Sequence, residues 1–109
     1  MAIQCRDWQA WLNNMPPNPA HLHVVGDVLV SNPGVQPTLT MREPQGINPT
    51  ILILDLSLIQ QSGMWPQVMT CASARFDRIM PPKASNYQVI EIYSQGDKIA
   101  FVDNISIVS

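Results

Sequence analysis

Charged side chains are scarce in this sequence, and none of them cluster. Aspartate, glutamate, lysine and arginine make up 13% of the 109 residues, about half of the ~25% that is usual in soluble domains. The six lysines and arginines are dispersed and the formal net charge is −2, so nucleic-acid binding is not expected. We expect the weakly charged surface either to be covered partly by another chain or a ligand, or to be rich in Ser, Thr, Asn and Gln.

Cysteines and long apolar runs are also few. Cys5 and Cys71 are far apart in sequence; a disulfide between them is one alternative, and two reduced thiols are the favoured one. No apolar run reaches the ~18 residues that a transmembrane helix requires, and the first residues lack the pattern of a signal peptide. The sequence therefore predicts a cytoplasmic protein without a membrane-spanning helix.

Motifs of the common enzyme classes are absent. The sequence contains no glycine-rich nucleotide-binding loop, no H-E-x-x-H and no G-x-S-x-G, which are the local signatures of several large enzyme families. We therefore predict a protein that is not an enzyme and that needs no cofactor.

What the sequence does contain is one strongly alternating stretch, residues 50–60. The leucines at its even positions share one face of a strand, because successive side chains point to opposite sides. On the other face, Ile51 and Ile53 give way to Asp55 and Ser57. Burial of each leucine is worth roughly 1.5–3 kcal/mol, so this central strand is predicted to anchor the core.

Five further segments alternate in the same way between turn signals. They are residues 21–30, 35–43, 67–78, 87–93 and 98–108, the last with a break allowed at 103–104. Pro37 favours an edge strand because proline cannot donate a ladder hydrogen bond, and residues 94–97 predict a hairpin turn. In the last segment, Phe101 and the other odd-numbered apolar residues are expected to face the core. The pattern predicts a mainly β protein, an antiparallel β-sandwich of six to seven strands, with a small β-barrel as the alternative.

The N-terminal residues differ from the rest, and residues 1–19 are predicted to form an arm before a sandwich domain at 20–109. Apolar residues recur there at helical spacing, which predicts a short amphipathic helix with Asp7 as its N-cap. These residues are Trp8, Trp11, Leu12 and Met15. A helix this short is marginal alone, so Trp8, Trp11 and Leu12 are expected to dock, either on their own sandwich or on a neighbouring subunit.

Three stretches resemble a pattern in short bacterial single-domain β proteins of uncharacterised function. They are Val30-Ser-Asn-Pro-Gly34, Glu43-Pro-Gln-Gly-Ile-Asn-Pro49 and Leu54-Asp-Leu56, and the resemblance covers residues 22–71. It implies a small β-domain and transfers no catalytic residue. The strand count also resembles that of fibronectin-like and immunoglobulin-like sandwiches, although the Cys–Trp–Cys spacing of true immunoglobulin domains is absent.

Two histidines form the sharpest polar pattern. His21 and His23 lie two residues apart, so both face the same side of the first strand as Asp27. This pattern could supply metal ligands, although solvent-facing histidines are the favoured interpretation. Two other residues are weaker candidates. Cys71 could act as a nucleophile with a histidine, although a small buried hydrophobe is the favoured interpretation of its mid-strand position. Asp55 could be a buried functional carboxylate, although a strand-end carboxylate bonded to a neighbouring hydroxyl or arginine is the favoured interpretation.

Three aromatic residues complete the candidates. Trp65, Tyr87 and Tyr93 could form a ligand platform, although capping of the core by Trp65 is the favoured interpretation. The leading function is a non-catalytic interaction or self-assembly module that forms a homodimer or binds a protein partner. The alternatives are a small-molecule or carbohydrate-binding module that uses the aromatic residues, and a metal-dependent enzyme that uses the two histidines and Asp27.

Overall fold

The computed structural model describes residues 5–14, 19–48, 50–80 and 87–108, which form eight β-strands and no helix. The strands are β1 (Cys5–Asn13), β2 (His21–Val30), β3 (Val35–Met41), β4 (Ile51–Gln60), β5 (Thr70–Ile79), β6 (Val89–Ser94), β7 (Asp97–Val102) and β8 (Ile105–Val108). Sheet A has the order β5-β2-β1-β8, and sheet B has the order β3-β4-β6-β7. The predicted β-sandwich is confirmed, because the two sheets stay separate and do not close into a barrel.

The core lies between β2 of sheet A and β4 of sheet B. Every second residue of β2 is buried, including Leu22 and Val24. Leu52 and Leu54 of β4 are fully buried against them. β4 has β3 on one side and β6 on the other, so its prediction as a central strand is confirmed. Pro37 lies in β3, which is an edge strand as predicted.

Residues 5–13 form strand β1, and the predicted helix is wrong. β1 lies between β2 and β8 of its own chain, so residues 5–13 of the predicted arm supply an interior strand of the sandwich. Trp8 and Leu12 pack against the core, whereas Trp11 is on the outer face. Tryptophan favours strands, and Trp8 and Leu12 satisfy strand alternation as well as helical spacing, whereas Trp11 fits the helical stripe only. Met15 lies outside the residues described.

A β-bulge brings Trp8 onto the inner face. Asp7, predicted as a helix N-cap, has a φ of 58°, and the register between β1 and β2 shifts between Arg6 and Gln9. The indole of Trp8 then lies over Gly26 of β2, where any added β-carbon would collide with the ring. The glycine therefore provides the space that the tryptophan fills.

The end of the chain differs from the single strand predicted. β7 pairs with β6 in sheet B, whereas β8 crosses to sheet A beside β1. A register shift between Ile92 and Tyr93 reverses the alternation in β7, so Val102 is buried and Phe101 is 57% exposed. The expectation that Phe101 faces the core is wrong. The predicted hairpin turn is confirmed, with positive φ at both Gln95 and Gly96.

Two strand pairings, β1–β8 and β4–β6, are parallel, which the predicted antiparallel arrangement did not include. Parallel neighbours need a connection that leaves the sheet and returns. Between β4 and β6 the chain forms β5 in the opposite sheet. As a consequence, neighbouring strands in each sheet are often distant in sequence.

Candidate functional site

Aromatic and polar side chains meet on the outer face of sheet A. The register places His23 of β2 between Trp11 of β1 and Asp77 of β5. The ring centroids of His23 and Trp11 are 5.2 Å apart, and Nδ1 of His23 lies 2.5 Å from Oδ1 of Asp77. The ring centroid of His21 is 6.1 Å from that of His23. We call these four residues the histidine cluster.

Asp77 is held by two donors. Nε of Arg75 donates to Oδ2 of Asp77 at 2.8 Å, and this hydrogen bond, with a smaller contribution from His23, lowers the pKa of Asp77 despite partial burial. An ionised carboxylate only accepts hydrogen bonds, so His23 donates from Nδ1. In a neutral imidazole the lone pair is then on Nε2, which is the arrangement of a base or a metal ligand.

Asp27 does not belong to the histidine cluster. It faces the same side of sheet A as predicted, but it lies farther along β2, opposite Arg6 and Ser73. Within the ranges that the structure describes, no group of three or more His, Cys, Asp or Glu side chains is placed to hold a metal ion. Sequence reasoning missed Asp77 as the partner of His23, because alternation places it on an outer face without revealing that β5 pairs with β2.

Cys71 lies near the other end of β5 and is an exposed free thiol, not the buried hydrophobe that its mid-strand position predicted. Nη2 of Arg6 donates to its sulfur at 3.5 Å. His23 is opposite Asp77, about 20 Å along the strand at ~3.3 Å per residue, so the two cannot form a catalytic pair. Cys5 and Cys71 lie on opposite sides of β2, and two strand spacings of ~4.8 Å exceed the Cα separation that a disulfide bridges.

A second polar network covers part of the outer face of sheet B. Arg42 binds Asp55 through two hydrogen bonds, of 2.6 Å from Nη2 and 3.2 Å from Nε, and its guanidinium lies 4.6 Å from the ring centroid of Tyr93. The hydroxyl of Tyr93 donates to Oε1 of Glu91 at 3.1 Å, and Oε2 of Glu91 lies 3.5 Å from Nζ of Lys98. The hydrogen bond to Glu91 and burial raise the pKa of Tyr93. Asp55 is therefore an arginine-bonded carboxylate.

The three aromatic residues predicted as a ligand platform have separate surroundings. Tyr93 belongs to the network on sheet B, whereas Tyr87 is partly buried and its hydroxyl accepts a hydrogen bond from Nη1 of Arg78 at 2.6 Å. The ring of Trp65 packs over Gly34 at one end of the sandwich. In the part of the chain that is described, no ring contact joins the three.

A cleft lies beside the hairpin between β6 and β7. Its volume is about 460 Å³. It is lined by Asp55, Leu56, Ser57, Leu58, Ser94, Gln95 and Gly96. β4 pairs with β6 only as far as Asp55, although β4 continues to Gln60. The cleft therefore lies next to the stretch of β4 that β6 leaves uncovered.

The backbone of β4 presents free groups at this uncovered edge. The amide of Arg42 donates to the carbonyl of Ile53, and the amide of Gln61 donates to the carbonyl of Gly34, so the odd-numbered residues direct their backbone groups toward β3. Alternate residues of a strand direct them to opposite edges. Leu58 therefore points its N–H and C=O toward the cleft, and no described residue bonds to them.

No protein-family model matches the chain, and comparisons with curated proteins and with solved structures likewise gave no match. The resemblance to short bacterial β proteins stays a prediction. The described residues form no helix that is long and apolar enough to cross a bilayer.

Proposed function

We propose that the protein is a non-catalytic interaction module that binds an extended segment of a partner protein along the uncovered edge of β4. The observation that carries this proposal is the free N–H and C=O of Leu58, which face the cleft beyond the last pairing of β4 with β6. In β-strand addition, main-chain hydrogen bonds to an open sheet edge supply affinity and alternate side chains supply specificity. The uncovered stretch of β4 offers free main-chain groups for such hydrogen bonds and side chains that alternate between its two faces.

Exposed apolar side chains surround this edge. Leu58 is 41% exposed and Ile59 is 48% exposed, and they point to opposite faces of β4. The segment that follows, residues 61–69, is exposed throughout and carries Met64 and Val68. Apolar residues concentrated at one place on a surface mark interaction sites more often than scattered ones do. The partner segment should therefore carry apolar side chains at adjacent positions, because successive side chains of a strand point to opposite faces and would cover Leu58 on one face and Ile59 on the other.

The cytoplasm is the compartment that this proposal assumes. A free thiol at Cys71, which the register keeps apart from Cys5, is compatible with a reducing environment. Carbohydrate binding by Trp65, Tyr87 and Tyr93 receives no support, because their rings have separate neighbours.

A selection from a random 12-residue peptide library tests the proposal. Selected peptides should bind the wild-type chain and shift the backbone amide NMR signals of Leu58, Gln60 and Gly96. Leu58→Pro removes the free N–H without removing a bond to β3, so it should weaken binding at least tenfold. Leu58→Val keeps the N–H and is the matched control. Peptides that bind Leu58→Pro as well as wild type, or that shift signals only elsewhere, would show that the edge is not the site.

Light scattering over a dilution series then identifies the donor of the strand. A mass of two chains that falls to one on Leu58→Pro would mean that a second copy supplies the segment, as in the homodimer expected from the sequence. A mass of one chain at every concentration would assign the edge to a different protein.

A further inference from the structure

We propose that His21 and His23 form a binding site for one divalent transition-metal ion, with Cu²⁺ preferred, on the outer face of sheet A. This site is on the opposite sheet from the cleft beside β4, and it does not depend on the interaction function. Imidazole nitrogen suits copper, nickel and zinc, and copper binds most tightly of the three at a given nitrogen site.

The spacing of the two rings fits a shared ion. A metal–nitrogen bond of ~2.0–2.1 Å places the centre of each imidazole ring roughly 3.2 Å from the metal. Two rings that bind one ion therefore have centroids about 4.5 Å apart when the nitrogen–metal–nitrogen angle is a right angle, and about 6.4 Å apart when the three atoms lie on a straight line. The observed centroid separation of His21 and His23 is 6.1 Å. The separation of the two rings on β2 is therefore compatible with one shared ion.

His23 is already oriented as a ligand. Its Nδ1 donates to Oδ1 of Asp77 at 2.5 Å, which leaves the lone pair of Nε2 for a metal. A carboxylate on the far nitrogen of a ligating histidine is the usual outer-shell partner, because it fixes the ring and makes the ligating nitrogen more basic. Trp11 packs against the same ring with centroids 5.2 Å apart, and only 18% of the His23 side chain is exposed. The orientation is thus held by contacts on two neighbouring strands.

The remaining coordination positions are open. Since no third ligating side chain joins the cluster among the described residues, water would complete the coordination of the ion. Structural zinc sites use four protein ligands, so a site with two imidazoles should bind more weakly and release its ion to chelators. Asp77 is a positioning residue in this arrangement, because it acts on the ion only through His23.

Titration of the full chain with CuCl₂, NiCl₂ and ZnCl₂ tests the site. Calorimetry should show one saturable Cu²⁺ site per chain, at least tenfold tighter than the site for Zn²⁺. Bound Cu²⁺ should quench the fluorescence of Trp11, because the indole contacts His23. Trp11→Phe should keep the affinity for Cu²⁺ and lose the quenching that comes from Trp11. The difference between the two proteins separates quenching at this site from quenching of the other tryptophans.

Variants assign the ligands. His21→Ala and His23→Ala should each weaken Cu²⁺ binding at least tenfold, and Asp77→Asn should weaken it about tenfold by loss of the outer-shell carboxylate. Asp27→Asn, on the same face but outside the cluster, is the matched control and should bind as wild type. If His23→Ala does not fold, as judged by circular dichroism, His21→Ala alone decides. Absence of saturable binding, or binding that survives His21→Ala or is lost in Asp27→Asn, would overturn the proposal.

Discussion

The indole ring of Trp8 occupies the space above Gly26 that a β-carbon would need. The two residues lie on neighbouring strands, and the bulge at Asp7 brings the tryptophan to this position. The large side chain of Trp8 thus packs against the smallest residue on the neighbouring strand. The position of the ring requires a glycine at 26, because any β-carbon there would collide with it.

Gly26→Ala should lower the free energy of unfolding by about 1–3 kcal/mol, because a methyl group forced into a filled space displaces the ring or the backbone. Urea denaturation measures the change. In a Trp8→Leu background, Gly26→Ala should lower the free energy of unfolding by less than it does in the wild type, since the smaller side chain leaves room for the methyl group. Equal losses in the presence and absence of Trp8 would show that the collision is not the cause.

Leu54→Ala should destabilise the fold by ~2–5 kcal/mol, the range for loss of a leucine side chain from a well-packed core. Leu54 is 0% exposed, whereas Ile59 on the opposite face of the same strand is 48% exposed. Ile59→Ala should therefore cost less than about 1 kcal/mol. The reverse order in denaturant melts would mean that the register of β4 is displaced by one residue.

The phenol of Tyr93 should titrate above the usual tyrosine range, because its hydroxyl donates to the carboxylate of Glu91. A raised pKa means that folding favours the neutral phenol, so this contribution to stability is present below about pH 10 and is lost as the pH rises through the folded-state value. Glu91→Gln removes the negative charge and should lower the pKa of Tyr93 toward its ordinary value. Carbon NMR titration of the tyrosine rings measures it, with Tyr87→Phe to assign the signals. An unchanged pKa in Glu91→Gln would rule out this cause.

Deletion of residues 1–15 should abolish cooperative unfolding. β1 lies between β2 and β8, so its loss uncovers one edge of β2, leaves β8 without its strand partner and removes the buried Ala10. Thermal melting followed by circular dichroism tests this. Deletion of residues 1–4 keeps β1 whole and serves as the control. A truncated chain that still unfolds in one sharp transition would mean that β1 is not part of the folded core.

Alternation in the sequence was enough to predict the sandwich, the buried face of β4 and the shared outward face of His21 and His23. It could not predict the pairing of His23 with Asp77, because alternation assigns a side chain to a face but does not say which strands become neighbours. The spacing of Trp8, Trp11 and Leu12 fits one face of a helix, whereas in a strand only Trp8 and Leu12 share a face. The backbone partners that β2 and β8 provide decide in favour of the strand. The bulge beside Tyr93 reverses the faces of β7, and a one-residue shift of this kind leaves no trace in local composition.

The parallel pairing of β1 with β8 also sets how the molecule would respond to a pulling force. Ala10–Asn13 lie alongside Ile105–Val108 in the same direction, so handles attached before β1 and after β8 would pull these neighbouring strands past each other along their length. The force would then act in shear on all the hydrogen bonds that join the two strands at the same time, instead of breaking them one after another from one end. In this direction the sandwich should resist extension until the whole contact between the two strands ruptures at once.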